Sequence, residues 1–187
     1  MRRLDFHPQR KLRNPARHLR AMARWPQRIA GQLPSTADLA NVRYWNFKVQ
    51  AYSKLIEPPH ATPETQRACL AAIFAAAEAV EGAPNRPANC RVACLVTTPF
   101  LFQSEVTLFP DEDYFLTFAP VTTTSHTDYD GGWIKASPVD RSILAPILPP
   151  APSGLELLGG TRLVEFDAER GGDPVSHINW VWAYPRR

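Results

Sequence analysis

The stretch TPETQRACLAAIFAAAEAVEGAPNRPANCRVACLVTT, residues 62–98, decides the fold because its hydrophobic period changes partway along. Thr62-Pro63-Glu64 supplies a cap, a proline tolerated in a first helical turn and a carboxylate at the positive helix end. Cys69, Ile73, Ala76 and Val80 then step by threes and fours, the spacing of one buried helical stripe. Gly82-Ala83-Pro84 ends that helix. From Cys90 to Thr98 the apolar and β-branched residues form a short run, which predicts a strand. Helical spacing first and strand-like runs afterwards is the order of an α+β fold.

Working outward, Ser104 to Phe109, Tyr114 to Phe118, Thr161 to Asp167 and His177 to Tyr184 also read as strands. Pro99 to Gln103 suits a hairpin connection, and Ile178, Trp180, Trp182 and Tyr184 share one strand face that should close the core. Thr122 to Gly132 and the Pro- and Gly-rich segment Pro146 to Gly160 read as loops, where function often sits. Upstream, Ser35 caps a second helix with Leu39, Val42, Trp45, Val49, Tyr52 and Ile56 on its apolar side, stopped by Pro58-Pro59. The first helix carries Leu12, Ala16, Leu19 and Ala23 on one face, and Pro26 should end or kink it. The expectation is one α+β domain over residues 1–187, with three N-terminal helices packed on a mainly antiparallel β-sheet of four to six strands. Its parts are a basic helix region at 1–33, a helical pair at 35–82 and a β-rich part at 90–187.

Charge divides the chain. Arg13, Arg17, Arg20, Arg24 and Arg28 recur at helical spacing, and the first 28 residues carry nine Lys or Arg against Asp5 alone. That segment is +8, so a chain of net charge +3 carries about −5 elsewhere. The arginine stripe can face solvent, seal against the acidic body, dock a protein or contact nucleic acid. Without a helix-turn-helix, zinc-finger or RNP-type motif, a nucleic-acid partner is the weakest of these expectations.

A chain of 187 residues with 44% hydrophobic composition is long enough for one well-filled core. The longest apolar run, Ala68 to Ala77, is half of the roughly 20 residues needed to span a membrane, and no signal-peptide core follows Arg2-Arg3. No membrane association and a cytoplasmic location are expected. Three cysteines make an odd set, and Cys90 and Cys94 on one strand would stand about 13 Å apart, too far for a local bridge or shared metal. Buried, unbridged thiols follow.

Catalytic signatures are sparse. No Gly-x-Ser-x-Gly turn and no phosphate-cradling Gly loop occurs. His126, Asp128 and Asp130 before Gly131 resemble the opening of a calcium loop, but Ser137 stands where the bidentate Glu should be, so no metal or cofactor is expected. With His177 they are the one polar set available to an enzyme of unrecognised type, provided the loop and that histidine meet. Asp111-Glu112-Asp113 beside Tyr114 reads first as a turn kept in water, with mutual repulsion raising one carboxyl for general acid work as the alternative; a third use is a docking surface in which acids steer a basic partner and the ring anchors it.

Arg2-Arg3-Leu4, Arg10-Lys11-Leu12-Arg13, Tyr44-Trp45-Asn46-Phe47-Lys48-Val49, Thr62-Pro63-Glu64-Thr65-Gln66-Arg67, Ser104-Glu105-Val106 and Asp111-Glu112-Asp113-Tyr114-Phe115 together resemble an uncharacterised family of bacterial proteins, a domain of unknown function. The resemblance covers roughly residues 2 to 145, and its strings bring no active-site residue with them. By analogy with small bacterial immunity proteins, it implies a non-enzymatic binding module that neutralises a cognate secreted toxin by direct contact. The partner-binding residues expected are Asp111, Glu112, Asp113 and Tyr114, with Arg13, Arg17, Arg20 and Arg24.

Overall fold

Thr62 accepts the backbone N–H of Thr65 at 3.2 Å and starts α4, Pro63–Glu81, where the sequence places its clearest helix. The structure is a computed structural model that describes residues 14–49, 60–98, 104–118, 126–129, 132–167 and 175–186. Three shorter helices precede α4: α1 Pro15–Met22, α2 Trp25–Ala30 and α3 Thr36–Leu39. The break between α1 and α2 has a steric cause. Within a continuous helix the Pro26 ring would press on the carbonyl of Met22; restarting the helix at Trp25 puts Pro26 in a first turn, where its missing N–H costs nothing.

The buried side of α1 and α2 differs from the one its alanines suggest. Met22, Trp25 and Ile29 are each 1% exposed, with Leu19 packed beside them, whereas Ala16 and Ala23 face solvent. Leu12 lies outside the described residues. The large side chains take the core because each buries more apolar area than an alanine can.

The second long helix does not form over its described part. Ser35 and Asp38 make a reciprocal capping box, but it supports only the single turn of α3. Chain pairing then takes over: Trp45–Lys48 is a strand, β1, with Trp45 and Phe47 turned to the core. Tyr52, Ile56 and Pro58-Pro59 lie outside the described residues.

Six further strands complete a sheet: β2 Arg91–Thr98, β3 Glu105–Phe109, β4 His126–Tyr129, β5 Gly132–Pro138, β6 Glu156–Asp167 and β7 Val175–Ala183. Their order is β1-β3-β2-β7-β6-β5-β4, and every neighbouring pair is antiparallel. The α+β class therefore holds, with seven strands among the described residues rather than four to six. Part of each expected loop is strand, β4 in the first and the start of β6 in the second. Tyr114 to Phe118, read above as a strand, belongs instead to a helix, α5 Glu112–Phe118. Among the described residues no helix is long and apolar enough to cross a membrane.

Register divides the sheet into two faces. On the first, Phe47, Val106 and Cys94 stand in one row with Trp182, and Val96 stands beside Trp180. α4 covers this face, with the Phe74 ring edge-on to Trp182 at 5.1 Å between centroids. Trp180, Trp182 and Tyr184 are all buried, as the alternation in the last strand implies, and Ile178 packs against them. The indole N–H of Trp180 donates to the Thr98 hydroxyl at 2.9 Å, so its one polar atom is satisfied. All three cysteines are unbridged and buried; desolvation pushes the Cys69 thiol up to about 12 and Cys94 higher still.

Gly160 stands opposite Trp180 in the β6–β7 pair, and a Cβ at that position would meet the indole at 2.3 Å. The glycine is the space the ring occupies. Gly160→Ala is expected to cost about 1–3 kcal/mol through overpacking. Gly159→Ala, where nothing lies within 4 Å of the added carbon, should cost far less, and urea denaturation of the two variants makes the comparison.

Candidate interaction site

The second face of the sheet is covered at one end by α5, and the way α5 is held explains the acidic run. Pro110 precedes Asp111, whose Oδ1 accepts the Tyr114 backbone N–H at 2.9 Å, so Asp111 is the helix cap. Glu112 turns inward. Arg91 Nε donates to its two carboxylate oxygens at 3.0 and 3.1 Å, Arg91 Nη2 also donates to Oε1, and Nη1 donates to the Tyr184 carbonyl at 3.1 Å. The same guanidinium lies 4.6 Å from the centroid of Phe115, which fills the space between α5 and Ala93, Val181 and Ala183. Arg186 approaches Glu112 at 4.0 Å from the other side. Of the three acids only Asp113 is exposed.

Tyr114 lies half-buried on the flank of α5 and stacks on Tyr44, with centroids 5.8 Å apart and planes 11° from parallel. Arg43 sits over the Tyr114 ring at 5.5 Å. Tyr44 is 45% exposed, Val42 37% and Leu116, on the outward side of α5 with Asp113, 63%. The exposed ridge is thus Tyr44 stacked on Tyr114 under Arg43, while Leu116 and the exposed carboxylate of Asp113 lie on the outer side of α5.

The ridge continues along β1. Asn46 is opposite Thr107 and Lys48 opposite Glu105, all on the second face. Glu105 accepts from the Asn46 amide at 2.8 Å and from the Thr107 hydroxyl at 3.3 Å. Burial raises its carboxyl above the usual value, against the opposing pull of those two hydrogen bonds and of Lys48. Deeper on the same face the Thr97 hydroxyl donates to Asn179 at 2.8 Å. Amide and hydroxyl groups here are spent holding a carboxylate in place. The arrangement suits recognition of a surface, with rings for contact and fixed polar groups for specificity.

The remaining expected site residues are dispersed. Arg17, Arg20 and Arg24 are exposed on α1 and at the α1–α2 junction, and Arg13 lies outside the described residues. Among the described residues Arg17, Arg20 and Arg24 reach no carboxylate. His126 and Asp128 are on β4, His177 is on β7, and Asp130 lies outside the described residues. Three strand spacings, about 14 Å, separate β4 from β7, so the backbone does not bring His126 and His177 together.

One cleft, of about 470 Å³, opens beside the end of α4 between Glu81, Pro84, Arg86 and Asn89. Its charges are already paired: Arg86 lies 3.6 Å from Glu81, both side chains under a tenth exposed, and donates to the Cys90 carbonyl. The cleft closes the turn between α4 and β2.

Two outcomes test this account. Glu112→Ala removes a charge-assisted pair and should cost about 1.5–3 kcal/mol; Arg186→Ala, at a 39% exposed side chain, should cost well under 1 kcal/mol, both read by urea denaturation. The second concerns pH. Because the folded-state carboxyl of Glu105 lies above its usual value of 4.5, the folded chain holds a proton there that the unfolded chain has lost, and stability falls as pH rises through that window. Below it both states are protonated and the penalty is absent. Glu105→Gln should therefore gain stability relative to the parent as pH rises from acid to neutral, measured as the difference between their denaturation midpoints.

No curated protein and no solved structure gives a significant match to the chain. A family model does match, over residues 23–184. The match runs through β6 and β7, beyond the Pro146 boundary to which the sequence strings extend, and leaves Arg2-Arg3-Leu4 and Arg10-Lys11-Leu12-Arg13 outside. Three other strings, 44–49, 104–106 and 111–115, fall on β1, β3 and α5, the elements that build the ridge and its polar extension. The model is described as protein of unknown function (DUF3916), and the chain belongs to that family.

Proposed function

We propose that this chain is a non-enzymatic protein-binding module that docks through the ridge formed by α5 and β1, and that its partner is a cognate bacterial toxin held inactive in the complex. The observation that carries the reading is the stacked pair Tyr44 and Tyr114 with Arg43 over the Tyr114 ring, at the junction of β1 and α5. Tyrosine and arginine at the centre of a patch, apolar neighbours and a rim of charge are the composition of an interface core. Rigid rings contribute contact area at low ordering cost, because Tyr44 and Tyr114 already hold each other in place.

Asp113 and Lys48 are the exposed charges at the rim. They act on encounter rate and register more than on residence time. Glu105 and Asn46, half-buried, are bonded to each other and give the edge of the patch a fixed polar geometry. The toxin part of the reading rests on analogy with other small bacterial binding proteins and on the absence of a convergent catalytic set among the described residues.

The test is capture from the organism's own lysate at physiological salt, with wild-type chain and with Tyr44→Ala/Leu116→Asp. One stoichiometric protein should be retained by the wild type and released at least 30-fold more readily by the double variant, the loss of about 2 kcal/mol expected at an interface centre. Expressed alone, the captured protein should arrest growth, and co-expression of the wild-type chain should restore it. Capture that is indifferent to the double variant removes the ridge as the interface. A captured protein without toxicity removes the immunity reading.

A further inference from the structure

Arg17, Arg20, Arg24 and Arg28 are all exposed, and among the described residues none of the four has a carboxylate within ion-pair reach. The segment from Asn14 to Ala37 contains no Asp or Glu at all. Arg17 and Arg20 lie one turn apart on α1, Arg24 stands at the N-cap of α2 and Arg28 lies in its last turn, so the four follow one another along the two consecutive helices. The opposite side of the same helices is already committed: Met22, Trp25 and Ile29 are buried and α2 packs on α4. The direction of the arginines is therefore fixed by the core, and no apolar side of α1 or α2 remains to enter a bilayer.

The chemistry of this surface differs from that of the α5 ridge in one decisive way. Among the described residues the large exposed hydrophobic side chains are Val42, Tyr44, Leu116, Ile143, Leu148 and Leu158, and none of them lies on α1 or α2. A protein interface needs a desolvated apolar centre, and the described residues of α1 and α2 expose none. A phosphate backbone needs only cations, since each contact gains its free energy from released counterions. Guanidinium groups add a planar fork that matches phosphate oxygens.

We infer that the α1–α2 arginine ridge is a sequence-independent contact for the phosphate backbone of a nucleic acid. It is a second surface, separate from the one that the α5 ridge supplies to a protein partner. A duplex carries a charge every 1.7 Å or so along its axis, so the four arginines find phosphates without a matched register. Contacts to the phosphate backbone carry no sequence information, so discrimination between sequences is not expected.

The experiment is fluorescence polarisation with the full chain and a labelled oligonucleotide of arbitrary sequence, single-stranded and duplex, titrated across salt. Affinity should fall steeply with salt. In Arg17→Gln/Arg20→Gln/Arg24→Gln/Arg28→Gln the slope of log K against log salt should shrink by about 2.8 on single strands and about 3.6 on duplex. Each single Gln variant should remove about a quarter of that, which keeps the test informative if the fourfold variant does not fold. The fourfold Arg→Lys variant should retain the slope, because the contact is one of charge. Wild-type slope in the Gln variants overturns the inference. So does retention on anionic vesicles of phosphatidylserine without binding to either oligonucleotide. Capture of a protein partner by the α5 ridge should be unchanged throughout.

Discussion

The seal between β7 and α4 is the contact on which the rest of the molecule depends. Trp180 and Trp182 stand two residues apart on a central strand, Phe74 meets the second edge-on, and Gly160 across the strand leaves room for the first. A side-chain period of two means that slipping β7 by one residue would turn both indoles to the other face. Trp180 resists this twice, by its fit over Gly160 and by its hydrogen bond to Thr98 on β2. Register in β2, β6 and β7 is thereby fixed together. The placement of Glu105 follows from the same logic at one remove: Val106 must face the core, so its neighbour faces away.

Two uses of arginine sit side by side in this fold. Arg91 is satisfied by Glu112, a backbone carbonyl and the face of Phe115, and its role is to hold α5 on the sheet. The arginines of α1 and α2 satisfy nothing within the described molecule. An acidic body and a basic end would be expected to attract each other, yet the acids nearest the ridge of α5 are occupied locally, Asp111 as a cap and Glu112 in its clasp. The net charge of the chain is small because acids spread from Asp38 to Asp173 offset the basic N-terminal segment.

Much of the architecture could be read from single residues. Thr62, Pro63 and Gly82 bound α4 as their cap chemistry requires, and the alternation of Ile178, Trp180, Trp182 and Tyr184 marks the core face of β7. The failures have physical causes. Leu39, Val42, Trp45 and Val49 fit a helical spacing, but Trp45-Asn46-Phe47-Lys48 also alternates, and pairing with β3 selected the strand. Tyr114 to Phe118 is rich in strand-favouring rings, while Pro110, Asp111 and two acids in the first turn are helix-start signals that outweighed them. Of the candidate site, only Tyr114 and its neighbouring acids could be read from the sequence. Tyr44, Arg43 and Glu105 escaped because their partners are remote in sequence, Asn46 lying 59 residues from Glu105. A carboxylate in a strand reads as a solvated position until the neighbouring strand is known.

The order of the strands has a consequence for how the chain is made. β7 is the latest strand in the sequence, yet it lies inside the sheet, between β2 and β6, with Thr97 bonded to Asn179 across 82 positions. During synthesis, β1, β3 and β2 can assemble early, but the open side of β2 stays unpaired and the first face stays uncovered by its tryptophans until β7 emerges. For that interval the nascent chain carries an exposed, strongly apolar strand edge, Val92 to Val96. Completion of the core waits on the strand that comes after all the elements it joins.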